Sequence, residues 1–308
     1  MSIARSLLAG GPAYVNFNSA NIPLAEDSRL EIAPVGSVVG AALYGEMDEA
    51  YTDLVVKGTG RPLTYDNLAV LWPYLQPVIG QRIFGNSDTP FAWLSNNGDL
   101  ITVRAGAVTK MPELVLGVEK PAVGEMEISG VVGTGLDVES ANSYYTIATG
   151  QAFTGPAVAA GKIPRQKYMA AWGTSGQGFN SLQAQDAWTI SHELKLAPVK
   201  VQGRTVDMKI ISYRAMAKCR PTEPTMAQLD AALGAQGGLR HGGLLSSKAS
   251  TADLVISGQS SVTVTVKNAA LKTAGFVFGG QPLRNGEAGW VSTLNVSSGT
   301  ATAALVLA

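Results

Sequence analysis

Apolar and polar positions alternate most clearly between Phe91 and Val132. Two apolar segments meet there at Asn97-Gly98, and a third follows Met111-Pro112. Asn-Gly between alternating segments predicts a hairpin turn, because both residues enter positive φ at little cost. In the second arm Ile101, Val103, Ala105, Ala107 and Thr109 share one face, and Thr102, Arg104, Gly106, Val108 and Lys110 share the other. One face is apolar and the other mostly polar, as in a sheet wetted on one side. A long hairpin is therefore expected. Further strands are expected over Leu114 to Val118 and Glu125 to Val132; in the second, Met126, Ile128 and Gly130 oppose Glu125, Glu127 and Ser129.

The rest of the chain carries weaker versions of the same signal. Residues 1–36 have no clear period, and Ala13 to Ile22 reads as either an ordered arm or a loop. Strands are expected at Ser37 to Leu43 and Tyr51 to Lys57, the latter closed by Gly58-Thr59-Gly60. Thr64 is a candidate cap for a helix in which Leu68, Leu71, Trp72 and Leu75 fall at helical spacing; Pro73 and Pro77 keep it short or kinked. Residues 133–185 are rich in Gly, Ala and Ser and read as a long excursion with room for one strand. A second hairpin is expected from Trp188 to Leu196 and Thr205 to Met216. A short helix then starts at Pro224-Thr225, with Gln228 as capping partner, and stops at Gly234.

Residues 234–250 have the composition of a linker. Beyond them lie five short β-like runs: Ala252 to Ile256, Ser261 to Lys267, Gly275 to Phe278, Trp290 to Val296 and Thr302 to Leu307. Their spacing suits a small sandwich or barrel, either a satellite domain or the closing strands of the first, and the linker favours the satellite. The organisation expected is a β domain over residues 1–245 and a small C-terminal β domain over 250–308.

Composition narrows the function. Charged residues make up 15% of the 308 residues, against about 25% in an average soluble protein. Other copies of the chain covering the surface would account for that. Lys plus Arg equals Asp plus Glu at 23 each, so no global field recruits nucleic acid, and tight DNA binding is disfavoured. The lone Cys219 excludes an intrachain disulfide and a Cys-rich zinc site. The apolar patch Leu7 to Ala9 is shorter than a signal-peptide core, and no uninterrupted apolar run reaches membrane-spanning length. A chain made and used as a soluble protein is expected.

Fragments that resemble catalytic motifs lack their partners. His241-Gly242-Gly243 is like an oxyanion-hole loop, but Gly173-Thr174-Ser175-Gly176-Gln177 has Gln where a nucleophile elbow needs its second Gly. Gly173 to Gly178 has no following Lys-Ser or Lys-Thr for a phosphate loop. His192 lies beside Glu193 with the other His distant, which suits a structural histidine rather than a metal ligand. Glu46, Asp48 and Glu49 read as a solvated acidic turn. The five Trp are scattered, as expected of core and interface residues. No catalytic, cofactor-binding or metal-ligating residue is assigned, and no enzyme or cofactor is expected.

The order of elements carries a resemblance. A helix from Thr64 to Leu75, Ile83-Phe84-Gly85, the Asn-Gly hairpin, Val108 to Leu116 and Gly124-Glu125-Met126 together resemble the major tail (tail tube) proteins of long-tailed, non-contractile bacteriophages. The similarity covers Ser37 to Val132 and, more loosely, Trp188 to Cys219; Ala252 to Leu307 is similar to the immunoglobulin-like decorations of such proteins. The resemblance implies a mainly β fold: a two-sheet β-sandwich or barrel with one or two short flanking helices, plus a small C-terminal sandwich. It implies hexameric rings stacked into a tube within the virion tail, assembled in the bacterial host cytoplasm. The implied partners are other copies of the chain, a tape-measure protein, tail terminator and distal tail proteins, and DNA passing without sequence-specific contact; no membrane is involved. The implied self-assembly residues are Asn97, Gly98, Thr102, Arg104, Lys110, Glu125 and Glu127. Zero net charge departs from an acidic conduit, unless acids such as Glu125 and Glu127 face inward and bases outward. The alternative is another virion or surface structural protein: a baseplate, decoration or adhesin module with a carbohydrate-binding C-terminal domain.

Overall fold

The structure is a computed structural model, and it describes residues 7–17, 20–41, 46–63, 68, 80, 82–83, 90–119, 122–131, 145–154, 165–173, 179–201, 204–222, 252–259, 262–277, 284–292 and 304–307. Within these residues the chain is mainly β, built as antiparallel sheets. The first sheet has the order β1 (Leu7–Gly10), β4 (Arg29–Ala41), β5 (Glu46–Gly60), β11 (Met126–Val131) and β8 (Ala105–Lys110). The second runs β12 (Tyr145–Ala148), β7 (Leu100–Val103), β6 (Phe91–Ser95), β2 (Ala13–Phe17) and β3 (Ala20–Leu24).

These two sheets face each other, and the contact explains their glycines. Phe91 and Trp93 on β6 are fully buried, and their rings lie over Gly106 and Gly58 of the first sheet. A methyl group on Gly130 would sit 2.7 Å from Val103 Cγ1, and one on Gly58 would sit 3.2 Å from the Trp93 ring. Large aromatics on one sheet thus interdigitate with bare backbone on the other. As expected, β5 ends at Gly58-Thr59-Gly60, though these residues still belong to its ladders. The three residues are the paired last residues of β5, and Gly58 and Gly60 lie where neighbouring side chains leave no room for one of their own.

The third sheet is larger. Its order is β10 (Ala122–Val123), β9 (Leu114–Gly117), β15 (Ala187–Val201), β16 (Arg204–Cys219), β19 (Arg284–Ser292), β18 (Thr263–Val277), β17 (Ala252–Gly258), β13 (Tyr168–Trp172) and β14 (Phe179–Gln183), with β20 (Leu305–Leu307) also on β18. Three tryptophans show that it curls. Trp172 on β13 is three strands from Trp290 on β19, roughly 14 Å across a flat sheet, yet their ring centroids are 6.4 Å apart. Trp188 on β15 approaches Trp290 from the other side at 5.6 Å. The seam is fastened where the Gln185 amide donates to the Arg220 carbonyl at 2.7 Å and the Thr222 amide to the Gln183 carbonyl at 2.8 Å.

Several expectations change. Ala13 to Ile22, read as an arm or loop, belongs to the hairpin β2–β3, because Val15, Phe17, Ile22 and Leu24 are all buried. The excursion over 133–185, read as holding one strand, supplies β12, β13 and β14; its small residues pair as strands once neighbouring sheets cover them. The runs at Ser261 and Gly275 are one continuous β18. The boundary near residue 250 is not marked by a break between sheets. β17 pairs with β13, β19 with β16, and their buried side chains share one core with the first two sheets. Both expected helices, apart from Leu68, and the linker over 234–250 lie outside the described residues.

Sequence phase and strand pairing diverge on β16. Tyr213, Ala215, Ala217 and Cys219 are buried at odd positions, but Ile210 is buried at an even one. Pairing steps from Lys195–Ser212 to Leu196–Ile210, leaving Ile211 as a bulge, 52% exposed. The extra residue returns Ile210 and Met208 to the same ribbon face as Tyr213. That face continues past the third sheet to cover Ala105 and Ala107 of β8, together with Ile83.

Candidate self-assembly surface

Asn97 and Gly98 form the tip of the β6–β7 hairpin. The Gly98 amide donates to the Ser95 carbonyl at 3.0 Å, and the Ser95 amide donates to the Asp99 carbonyl at 2.9 Å. Gly98 alone of the pair has positive φ, +82°. The turn is therefore not the two-residue Asn-Gly form expected; it is a four-residue turn from Ser95 closed by a left-handed glycine, the usual three-residue alternative. Gln151 reinforces it, its amide donating to the Gly98 carbonyl at 2.9 Å. A methyl group on Gly98 would lie 2.6 Å from the Gln151 carbonyl oxygen. Gly98→Val is accordingly expected to cost about 2 kcal/mol or more through left-handed strain and backbone collision. A lowered urea midpoint checks this, and an unchanged one contradicts the turn.

The hairpin is short, because the chain changes sheets at Arg104. β7 belongs to the second sheet and β8 to the first, with the exposed Arg104 at the bend between them. The two sheets present opposite sides to their shared core, so the inward phase shifts by one residue. Ile101 and Val103 point inward before the bend; Gly106 and Val108 do so after it. The single alternation expected over residues 101–110 is thus corrected, and Val108 is core rather than polar face. Thr102 lies half-buried on the outer side of the second sheet, opposite Ala92 and Thr146.

The remaining candidates gather on the side of the first sheet turned away from Trp93. Glu127 on β11 contacts Lys57 on β5 at 2.6 Å and accepts from the Thr109 hydroxyl at 2.9 Å. Thr109 also lies 2.9 Å from the Ser129 hydroxyl. Lys110 and Glu125 are paired at 3.3 Å, both more than half exposed. Acids and bases therefore neutralise each other across neighbouring strands. Such exposed pairs contribute about 0–1 kcal/mol. Glu127→Gln is expected to shift stability by no more than about 1 kcal/mol, read from thermal melts. A larger loss would mean the row is a structural network.

Three hairpins run past the sheets they belong to. Among the described residues, 34–41 and 46–54 pair only with each other, as do 276–277 with 284–285. In the longest, among the described residues, 191–201 of β15 pair with β16 alone, while β16 is bridged on its other side at Lys209 by Arg82. A strand of 15 residues reaches roughly 50 Å.

No protein-family model matches the chain, and no curated protein is significantly similar to it.

Among the described residues no group of three or more His, Cys, Asp or Glu side chains is placed to hold a metal ion. No described helix is long and apolar enough to cross a membrane, which says nothing of membrane barrels. Two features of the long ribbon were not foreseen as a pair. His192 Nδ1 lies 3.0 Å from the Tyr213 hydroxyl, with the rings stacked at 6.2 Å. Burial lowers the His192 pKa to about 4 and pushes the Tyr213 hydroxyl up. At the base of β16, burial, helped by the charge of Glu287, pushes the Cys219 thiol up. Cys219 is expected to resist alkylation in the native state and react only under denaturant, as mass spectrometry would show.

Proposed function

We propose that the chain is a structural virion protein whose copies form stacked rings of a phage tail tube, the conduit for DNA delivery. The observation that carries this reading is the set of hairpins whose outer parts, among the described residues, form ladders only within themselves, apart from the segment around Arg82 that meets β16 at Lys209. Two-stranded ribbons are marginal alone, and exposed strand edges invite pairing with another chain. Ring closure supplies those partners and removes the edges. The facing first and second sheets support the sandwich form of such a subunit, and the neutralised row of Lys57, Glu127, Thr109, Lys110 and Glu125 supports a polar surface that DNA passes without being held. On this reading the chain binds other copies of itself, encloses a tape-measure protein, and meets terminator and distal tail proteins at the tube ends. Negative-stain microscopy of the purified chain at rising concentration tests it. Rings or tubes are expected; monodisperse monomers at the highest concentration would end it.

A further inference from the structure

The third sheet leaves a hollow of about 320 Å³, lined about equally by polar and apolar surface, beside its seam, between the end of β9, the start of β13 and the turn joining β14 to β15. That is within the size range of small-molecule sites. Its floor is Leu116, Tyr168 and Trp188, all buried. Its rim is formed by Glu119, Gln166, Gln183, Gln185, Asp186 and Thr222.

One wall is held by backbone hydrogen bonds and the other by a packed, hydrogen-bonded side chain. The two seam hydrogen bonds, Gln185 to Arg220 and Thr222 to Gln183, fix one side. Gly258 fixes the other: a side chain there would collide with the Gln166 amide, which is hydrogen-bonded to Tyr168. Trp188 is anchored from below by Trp290, and its indole N–H has no acceptor among the described residues. A site on paired strands with a locked floor is preorganised.

The rim chemistry selects the ligand. Three amides, a hydroxyl and two carboxylates offer many hydrogen-bonding groups of both kinds. Among the described lining residues Glu119 and Asp186 outnumber the one cation, Lys167, which disfavours an anion. A wholly apolar ligand would strip water from the amides without replacing those bonds. We infer that the hollow binds a neutral saccharide, independently of whether the chain assembles.

Saturation-transfer NMR of the full chain with glucose, galactose, mannose and N-acetylglucosamine, with glucuronate as the acidic control, tests this. At least one neutral sugar is expected to receive saturation at about 10 mM, with a Kd in the millimolar range. The double variant Gln183→Ala with Asp186→Asn should weaken it about tenfold or more, with its urea midpoint unchanged to show an intact fold. Silence from every neutral sugar, equal binding by the variant, or preference for glucuronate would overturn the inference.

Discussion

Truncation after residue 250 is expected to abolish folded protein, and Trp290→Ala in the full chain to destabilise it by about 3–5 kcal/mol. Both follow from the way the last strands enter the third sheet. β19 is the central strand there, bonded to β16 on one side and β18 on the other. Trp290 on β19 is 2% exposed and touches both Trp172 and Trp188. Removing it opens a cavity between two other tryptophans that the sheet cannot collapse to fill. Removing β17 to β20 altogether strips the ladder from β16 and β13 and exposes that cluster to water. Urea denaturation measures the point variant, and near-UV circular dichroism with sedimentation measures the truncation. A truncated chain that stays monomeric with native aromatic dichroism would show that the preceding strands fold without these.

Acid is expected to loosen the protein through His192. Its pKa is lowered to about 4 in the folded chain by burial, against about 6.5 when unfolded. Below pH 6.5 the unfolded state takes up a proton that the folded state refuses, so stability falls as pH drops from about 6.5 to 4. The full loss is at most roughly 3 kcal/mol. His192→Phe keeps a ring against Tyr213 and removes the titration, so its stability should be flatter with pH than the parent's over that window. Parallel slopes for the two proteins would show that other groups carry the acid sensitivity. Because His192 sits where the long ribbon leaves the third sheet, the same protonation should loosen that ribbon first, and amide exchange along residues 191–215 would report it.

The strands that alternate cleanly are the ones legible without coordinates. In β11, Met126, Ile128 and Gly130 face the core and Glu127 and Ser129 face away, as their spacing says. β9 and the β15–β16 hairpin also appear near their expected bounds. Legibility failed wherever phase changed. At Arg104 the chain crosses between facing sheets, and at Ile211 a bulge absorbs one residue; both flips look like continuous alternation in the sequence. Of the candidate assembly residues, Glu125, Glu127 and Lys110 come together on the first sheet, while Asn97 and Gly98 cap a hairpin of the second, and Thr102 and Arg104 lie elsewhere.

By itself the sequence determined that this is a β protein poor in charge, with a glycine turn at Gly98, because period, turn chemistry and composition are local properties. Only the tertiary structure decided which sheet each strand joins, why Gly58, Gly106 and Gly130 are bare, and that Trp172, Trp188 and Trp290 meet. Those outcomes depend on residues far apart in the chain sharing one confined volume, and no local window of sequence encodes which neighbour will arrive.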